Sequence, residues 1–171
     1  MKPSVWFRLD VLARKMTPFL LTLMLVLISV VPVHIPGLAR VAPLLPLMAI
    51  YHWAVYRSEL FPAYAVFIIG ILHDIFTGTP IGANALVFLL VYGTVVSQHR
   101  FLSGKSFGVI WIGFGLVGGA ASVLTWALVS AWNVAVIEPS AVYIQYILTL
   151  GLFPGFAWVF LRWQRAFLRQ I

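Results

Sequence analysis

The chain has 171 residues, of which 63% are hydrophobic and only 9% are charged. Soluble domains carry roughly a quarter charged residues, so this composition excludes a water-soluble fold and indicates an integral membrane protein. The lack of cysteine excludes disulfides, thiolate metal sites and cysteine nucleophiles. The net charge of +7 lies in short clusters beside apolar runs, which favours contact with anionic lipid headgroups over nucleic acid.

The first residues of the chain mix basic and apolar side chains. The apolar positions that share one helical face are Val5, Trp6, Leu9, Leu12 and Met16. This pattern favours an amphipathic helix on the inner leaflet of a membrane, and a disordered basic leader is the alternative interpretation.

Six apolar runs follow, and each is a candidate membrane helix. They cover residues 17–33, 38–56, 61–76, 83–99, 107–131 and 140–161. The third and fourth are short for spanning helices, and no segment alternates like a strand. The first run is longer than the apolar part of a signal peptide, so we expect it to be retained rather than cleaved. The predicted fold is a single all-α membrane domain, residues 1–171, with six transmembrane helices in one bundle.

The positive charges divide unequally between the two sides that six crossings define. One side carries Arg40 alone. The other side carries Lys2, Arg8, Arg14, Lys15, Arg57, Arg100, Lys105, Arg162, Arg165 and Arg169. Since positively charged loops remain in the cytoplasm, we predict that both termini are cytoplasmic.

The stretch HDIFTGTPIGANAL, from His73 to Leu86, interrupts the apolar sequence between the third and fourth runs. Gly78 and Gly82 permit a positive φ, and Pro80 stops a helix. Asp74 is the one acidic residue inside a predicted span. The simplest role for its carboxylate is to accept backbone N–H groups of the turn or to cap the fourth helix.

A functional role for Asp74 is the alternative, because ionisable residues at membrane depth mark functional sites by default. His73 adjoins it in sequence, but consecutive helical residues point about 100° apart. We therefore do not expect the two to form a catalytic pair.

The corner and the helix after it resemble the signature of the MreD family of rod shape-determining proteins. The residues that carry the resemblance are Asp74, Gly78, Pro80, Gly82, Leu86 and Tyr92. Ile81 stands where the family usually has leucine. Chain length, helix number and the basic N-terminus agree as well, so the resemblance covers essentially the whole chain.

The resemblance implies a multi-pass protein of the bacterial cytoplasmic (inner) membrane that belongs to the cell-elongation machinery. Its implied partners are the bitopic protein MreC, the glycosyltransferase RodA with its partner transpeptidase, the MreB filament and membrane lipids. The implied fold is similar to the six-helix substrate-binding subunits of vitamin-uptake transporters.

The fifth run contains a second pattern, in which small residues recur at helical spacing. Gly115 and Gly119 form one G-x-x-x-G pair, and Gly118 and Ser122 form a second small pair on nearly the same face. Small residues let two helices approach closely. The face either docks a helix of a partner or packs within the bundle.

Three functions from different classes compete at this point. The first is a non-catalytic assembly protein that binds MreC and organises peptidoglycan synthesis. The second is a membrane subunit that binds a small ligand or a lipid-linked precursor, although few convergent polar groups are available for one. The third is an intramembrane enzyme, which lacks a nucleophile with a neighbouring base and a third group. We expect no catalytic residue, no cofactor, no metal site and no nucleic-acid partner.

The charge distribution predicts a labelling pattern in the membrane. Because the chain lacks cysteine, single cysteines introduced beside Arg100 and near the C-terminus report on topology without background. We expect both to be protected from a membrane-impermeant thiol reagent in intact cells and to react after the membrane is permeabilised. Labelling of the C-terminal cysteine in intact cells would contradict six crossings.

Overall fold

The computed structural model describes residues 5–31 and 41–167, with side chains for 15–31 and 41–166. Within these ranges the regular structure is entirely helical, which confirms the predicted all-α fold. The α-helices are α1 (Val5–Val30), α2 (Leu45–Tyr56), α3 (Ala63–Thr77), α4 (Ala83–Ser97), α5 (His99–Leu102), α6 (Phe107–Trp132) and α7 (Pro139–Phe167). A 3-10 turn, Ser58–Leu60, joins α2 to α3.

Two helices begin at positions that differ from the sequence prediction. Of the run 38–56, residues 41–44 are not helical, and 38–40 lie outside the described residues. Pro46 lacks a backbone N–H and is best tolerated in the first turn of a helix, which agrees with a start of α2 at Leu45, immediately before it. In contrast, α1 begins at Val5. The described part of the basic leader is therefore helical and continuous with the first apolar run, and the disordered interpretation of residues 5–16 is wrong.

Helix α2 forms the centre of the bundle. Every residue from Leu45 to Val55 is buried, as expected for a helix that is apolar on all sides. Its twelve residues rise about 18 Å, which is less than the roughly 30 Å of a hydrocarbon core. The N–H of Leu44 donates to Thr149 Oγ1 at 3.0 Å, so α2 starts about three turns into α7 rather than level with its end.

Helices α6 and α7 are long and apolar enough to cross a membrane over Phe107–Trp132 and Pro139–Ala166. Within the described residues, Lys15–Val30, α3 and α4 are shorter apolar helices. Six membrane crossings therefore stay a prediction.

Hydrogen bonds and ring contacts give the directions of the helices. Trp111 Nε1 donates to Leu150 O at 3.1 Å and Trp126 Nε1 to Ile137 O at 2.9 Å, so α6 and α7 are antiparallel. Helix α2 runs parallel to α7, because its start contacts Thr149 and the His52 ring lies 5.1 Å from that of Phe160. The chain then turns back into α3. The 78–82 and 133–138 connections consequently lie at one end of the bundle, the corner end.

An aromatic cluster joins α2 to α6 and α7. The rings of Phe114 and Phe153 stack at 4.1 Å, and the Tyr51 ring meets both edge-on at 5.2 and 5.7 Å. The Tyr51 hydroxyl donates to Ile110 O at 2.9 Å. All three rings are fully buried, and the phenol of Tyr51 thereby satisfies its polar atom inside the apolar core.

Helices α3 and α4 approach closely at a single glycine. A Cβ placed on Gly70 would lie 2.3 Å from Ala85 Cα, which is inside van der Waals contact with backbone that cannot rotate away. Alanine at residue 70 would therefore push the two helices apart.

We expect Gly70→Ala to lower the thermal stability of the protein in detergent, since overpacking a tight contact costs about 1–3 kcal/mol. Gly93→Ala is the matched control. Gly93 also lies in a helix, and nothing is within 4 Å of its Cβ position, so alanine there should stabilise by about 0.5–1 kcal/mol. The unfolding midpoint, followed by size-exclusion chromatography of heated samples, separates the two variants. An equal rise for both would contradict the close contact.

Candidate functional site: the corner between α3 and α4

Helix α3 ends where glycine allows the backbone to turn left-handed. Gly78 has φ of 69°, and its N–H donates to Asp74 O. The N–H of Thr79 donates to the same carbonyl at 3.2 Å, so the last turn closes on itself. Gly82, with φ of 99°, then turns the chain into α4. Both glycines occupy the conformation that the sequence assigned to them.

The carboxylate of Asp74 lies at the centre of the corner and is completely buried. Its Oδ1 accepts hydrogen bonds from Thr79 Oγ1 at 2.7 Å, Asn84 Nδ2 at 2.8 Å and Asn84 N at 3.1 Å. Its Oδ2 accepts from Gly82 N at 2.9 Å and from Ala85 N at 3.5 Å. The side chain therefore caps α4, as expected from the sequence, although it lies eight residues or more before the groups it caps.

The start of α4 supplies the electrostatic counterpart of this charge. The first N–H groups of a helix have no partner within the helix and carry the positive end of its dipole. Three of the Asp74 donors are backbone groups of Gly82, Asn84 and Ala85 at that end. A buried carboxylate is tolerated only when it is paired or hydrogen-bonded, and here backbone and side-chain donors fill that role.

The His73 ring belongs to a different environment from the Asp74 carboxylate. It is 5% exposed and packs against Phe88 of α4, with ring centres 5.5 Å apart. Its Nδ1 has no hydrogen-bond partner. As the helical geometry predicted, the two neighbours do not form a dyad.

The remaining motif residues divide between interior and surface. Tyr92 is half-buried, and its hydroxyl donates to Ser58 O at 3.4 Å, which ties α4 to the α2–α3 connection. Leu86 is 48% exposed and Ile81 is 74% exposed. The corner thus has a polar interior around Asp74 and an apolar exterior.

Two parts of this site were not singled out from the sequence. Asn84 is one of several polar residues scattered along the apolar runs, yet its amide donates to both Asp74 Oδ1 and Thr79 Oγ1. Its position two residues after Gly82, within reach of the same carboxylate, is the signal that could have identified it. Gly70, which admits Ala85, carries only the weak signal of an isolated helical glycine.

The small residues of α6 face α7, with Gly118 and Ser122 buried and Gly115 and Gly119 half-buried. A Cβ on Gly119 would lie 3.5 Å from the Tyr146 ring, and one on Gly115 would lie 3.4 Å from Leu150. Tyr146 also donates its hydroxyl to Gly115 O at 2.9 Å. Gly118 is buried beside Phe114 of its own helix and accepts from Ser122 Oγ. These contacts favour packing against α7 over a docking face for a partner.

Comparison with known proteins gives one result. A family model described as rod shape-determining protein MreD matches residues 11–168, nearly the whole chain. No curated protein and no solved structure matches the chain, so the predicted similarity to vitamin-transporter subunits stays a prediction.

The Asp74 geometry predicts a graded response to substitution. Asp74→Ala leaves several buried donors without an acceptor, each at a cost of about 1–3 kcal/mol, and should lower the protein level in the membrane most. Asp74→Asn keeps one acceptor oxygen and should be milder. Thr79→Val, the control, removes one donor while Oδ1 keeps both bonds from Asn84, and should be mildest.

Membrane level and cell shape, measured together in cells that depend on this chain, check the series. If Asp74→Asn abolished rod shape at a normal protein level while Asp74→Ala was no worse, the negative charge itself would be essential. The capping explanation would then be wrong.

Proposed function

This chain belongs to the MreD family, and we propose that it is a non-catalytic assembly component that binds MreC and thereby organises peptidoglycan synthesis. Family membership makes it a membrane component of rod-shape determination. The proposal places it as a multi-pass protein in the cytoplasmic membrane, with both termini inside. The chain then contacts RodA, its partner transpeptidase and MreB either directly or through MreC.

The observation that carries the proposal is the contrast between the buried Asp74 and the exposed apolar side chains of the same corner. Asp74 holds the corner from within by its hydrogen bonds, and the two turn glycines give the backbone its left-handed turns. Ile81 and Leu86 point away from this interior and contribute little to it, being 74% and 48% exposed. A rigid corner that displays apolar side chains is suited to binding, because a surface that is already ordered loses little entropy when a partner docks.

The same geometry argues against catalysis at the corner. A general base needs a free lone pair aimed at a substrate proton. Both oxygens of Asp74 already accept hydrogen bonds from within the corner, and the side chain is inaccessible. The neighbouring His73 ring packs on Phe88, away from any nucleophile–base arrangement. An assembly role therefore fits these residues better than an enzymatic one.

The proposal predicts which positions contact MreC. We replace Ile81 and Leu86, one at a time, with a photo-crosslinking amino acid and co-express each variant with MreC. We expect both positions to crosslink to MreC and MreC to co-purify in detergent. Ile147 of α7 is the control, since it is 48% exposed, equal to Leu86, but lies outside the motif.

Two results would contradict different parts of the proposal. Crosslinks from residue 147 alone would still show MreC binding, but they would rule out the corner as the surface that binds MreC. Absence of MreC from the purified material, with the chain at a normal level, would overturn the proposed function.

A further inference from the structure

The halves of α6 and α7 nearest the corner end separate and leave an open groove of about 420 Å³. Its floor is formed by small residues of α6, and its walls are aromatic and aliphatic. The lining includes Gly119, Ser122, Trp126, Val142, Tyr143 and Tyr146. A narrower recess continues from it to Leu44, at the start of α2.

Hydrogen bonds of aromatic side chains bound the groove at both ends, one joining α7 to α6 and one joining α6 to the connection before α7. On one side of it, the Tyr146 hydroxyl donates to Gly115 O. On the other side, Trp126 Nε1 donates to Ile137 O. These aromatic side chains hold the two sides of the groove apart, and the side chains of α6 between them are too small to fill the distance. The groove therefore stays open.

The groove offers hydrocarbon contacts and almost no polar ones. No charged residue lines it, and the donors of Ser122, Trp126 and Tyr146 are already used within the protein. A polar ligand would lose its hydration and gain few partners beyond the Tyr143 hydroxyl. The ligand must therefore be apolar where it enters the groove.

The groove runs along the helix axis for a short distance. From Gly119 to Trp126 it follows two turns of α6, about 10 Å. A single flexible apolar chain can lie along it.

The residues around the groove indicate that the flexible chain comes from a membrane lipid. The groove opens onto the outer surface of the bundle, where Val123 and Tyr143 are 62% and 66% exposed, so it is continuous with the surface that faces lipid. Glu138 is exposed at its mouth, directly before the lining residue Pro139. It is the only Asp, Glu, Lys or Arg between Lys105 and Arg162. A carboxylate without a neighbouring cation in sequence favours a headgroup that carries an ammonium.

We propose that this groove holds one acyl chain of an amine-bearing phospholipid, phosphatidylethanolamine, with its ammonium beside Glu138. The bound chain fills the space between α6 and α7 and makes one lipid part of the protein. This site is independent of MreC binding and of the corner at Asp74.

The full chain is reconstituted with equimolar phosphatidylethanolamine and phosphatidylglycerol, extracted into detergent and examined by native mass spectrometry. We expect one retained lipid, mainly phosphatidylethanolamine. Val142→Trp fills the groove and should lower retention roughly tenfold. Leu116→Trp, at a position of α6 that is 73% exposed and outside the groove lining, should leave retention unchanged. Glu138→Gln should keep a lipid but lose the preference between headgroups.

A second measurement uses the unaltered chain and so does not depend on how the variants fold. A phosphatidylethanolamine with a photoreactive acyl chain should label peptides that contain residues 119–126 and 139–146 above those from α3 and α4. Equal retention by all variants, preferential retention of phosphatidylglycerol, or uniform labelling of the helices would overturn the proposal. A crosslink from Val123 to MreC in place of lipid would also overturn it.

Discussion

A single buried carboxylate determines how α3 and α4 meet, and the corner end of the bundle depends on it. A charge in an apolar interior is tolerated only when its oxygens are hydrogen-bonded. Asp74 satisfies this condition with donors from the 79–85 segment alone, so the turn must return to the end of the helix that bears the carboxylate. The left-handed Gly78 and Gly82 make that return possible. The close contact between Gly70 and Ala85 then extends the same alignment further along both helices.

The second constraint is the enclosure of α2, which determines where the other helices lie. A helix without a polar face must be covered on all sides, and α1, α4, α6 and α7 all pack against it. Its start is recessed beside Thr149, so α6 and α7 extend beyond it toward the corner end. Part of their facing surfaces there has no central helix to contact. The open groove between α6 and α7 is a consequence of this difference in length.

The corner could be predicted from the sequence because its contacts are local. Asp74 and its donors lie within twelve residues of one another, and Gly, Pro and Asp each have strong conformational preferences at a turn. The start of α2 is also encoded locally, in Pro46. In contrast, the contacts of Gly70 with Ala85 and of Tyr146 with Gly115 join separate helices, and hydropathy does not specify which faces meet. The same limit applies to α2, whose apolar run indicates burial in lipid and in protein equally well.

The two helical pairs at the corner end are held together by different interactions, and this difference separates a rigid surface from an adaptable one. Between α3 and α4, a close backbone contact and a hydrogen-bonded carboxylate set the position of the two helices, so Ile81 and Leu86 are displayed at fixed positions. Between α6 and α7, Trp111 and Tyr146 each donate a single hydrogen bond to a backbone carbonyl of the other helix. Single side-chain bonds near an unfilled groove can be remade after small shifts of the helices. The α3–α4 corner is thus the better surface for recognising one protein partner, and the α6–α7 pair is the better place to accommodate flexible lipid.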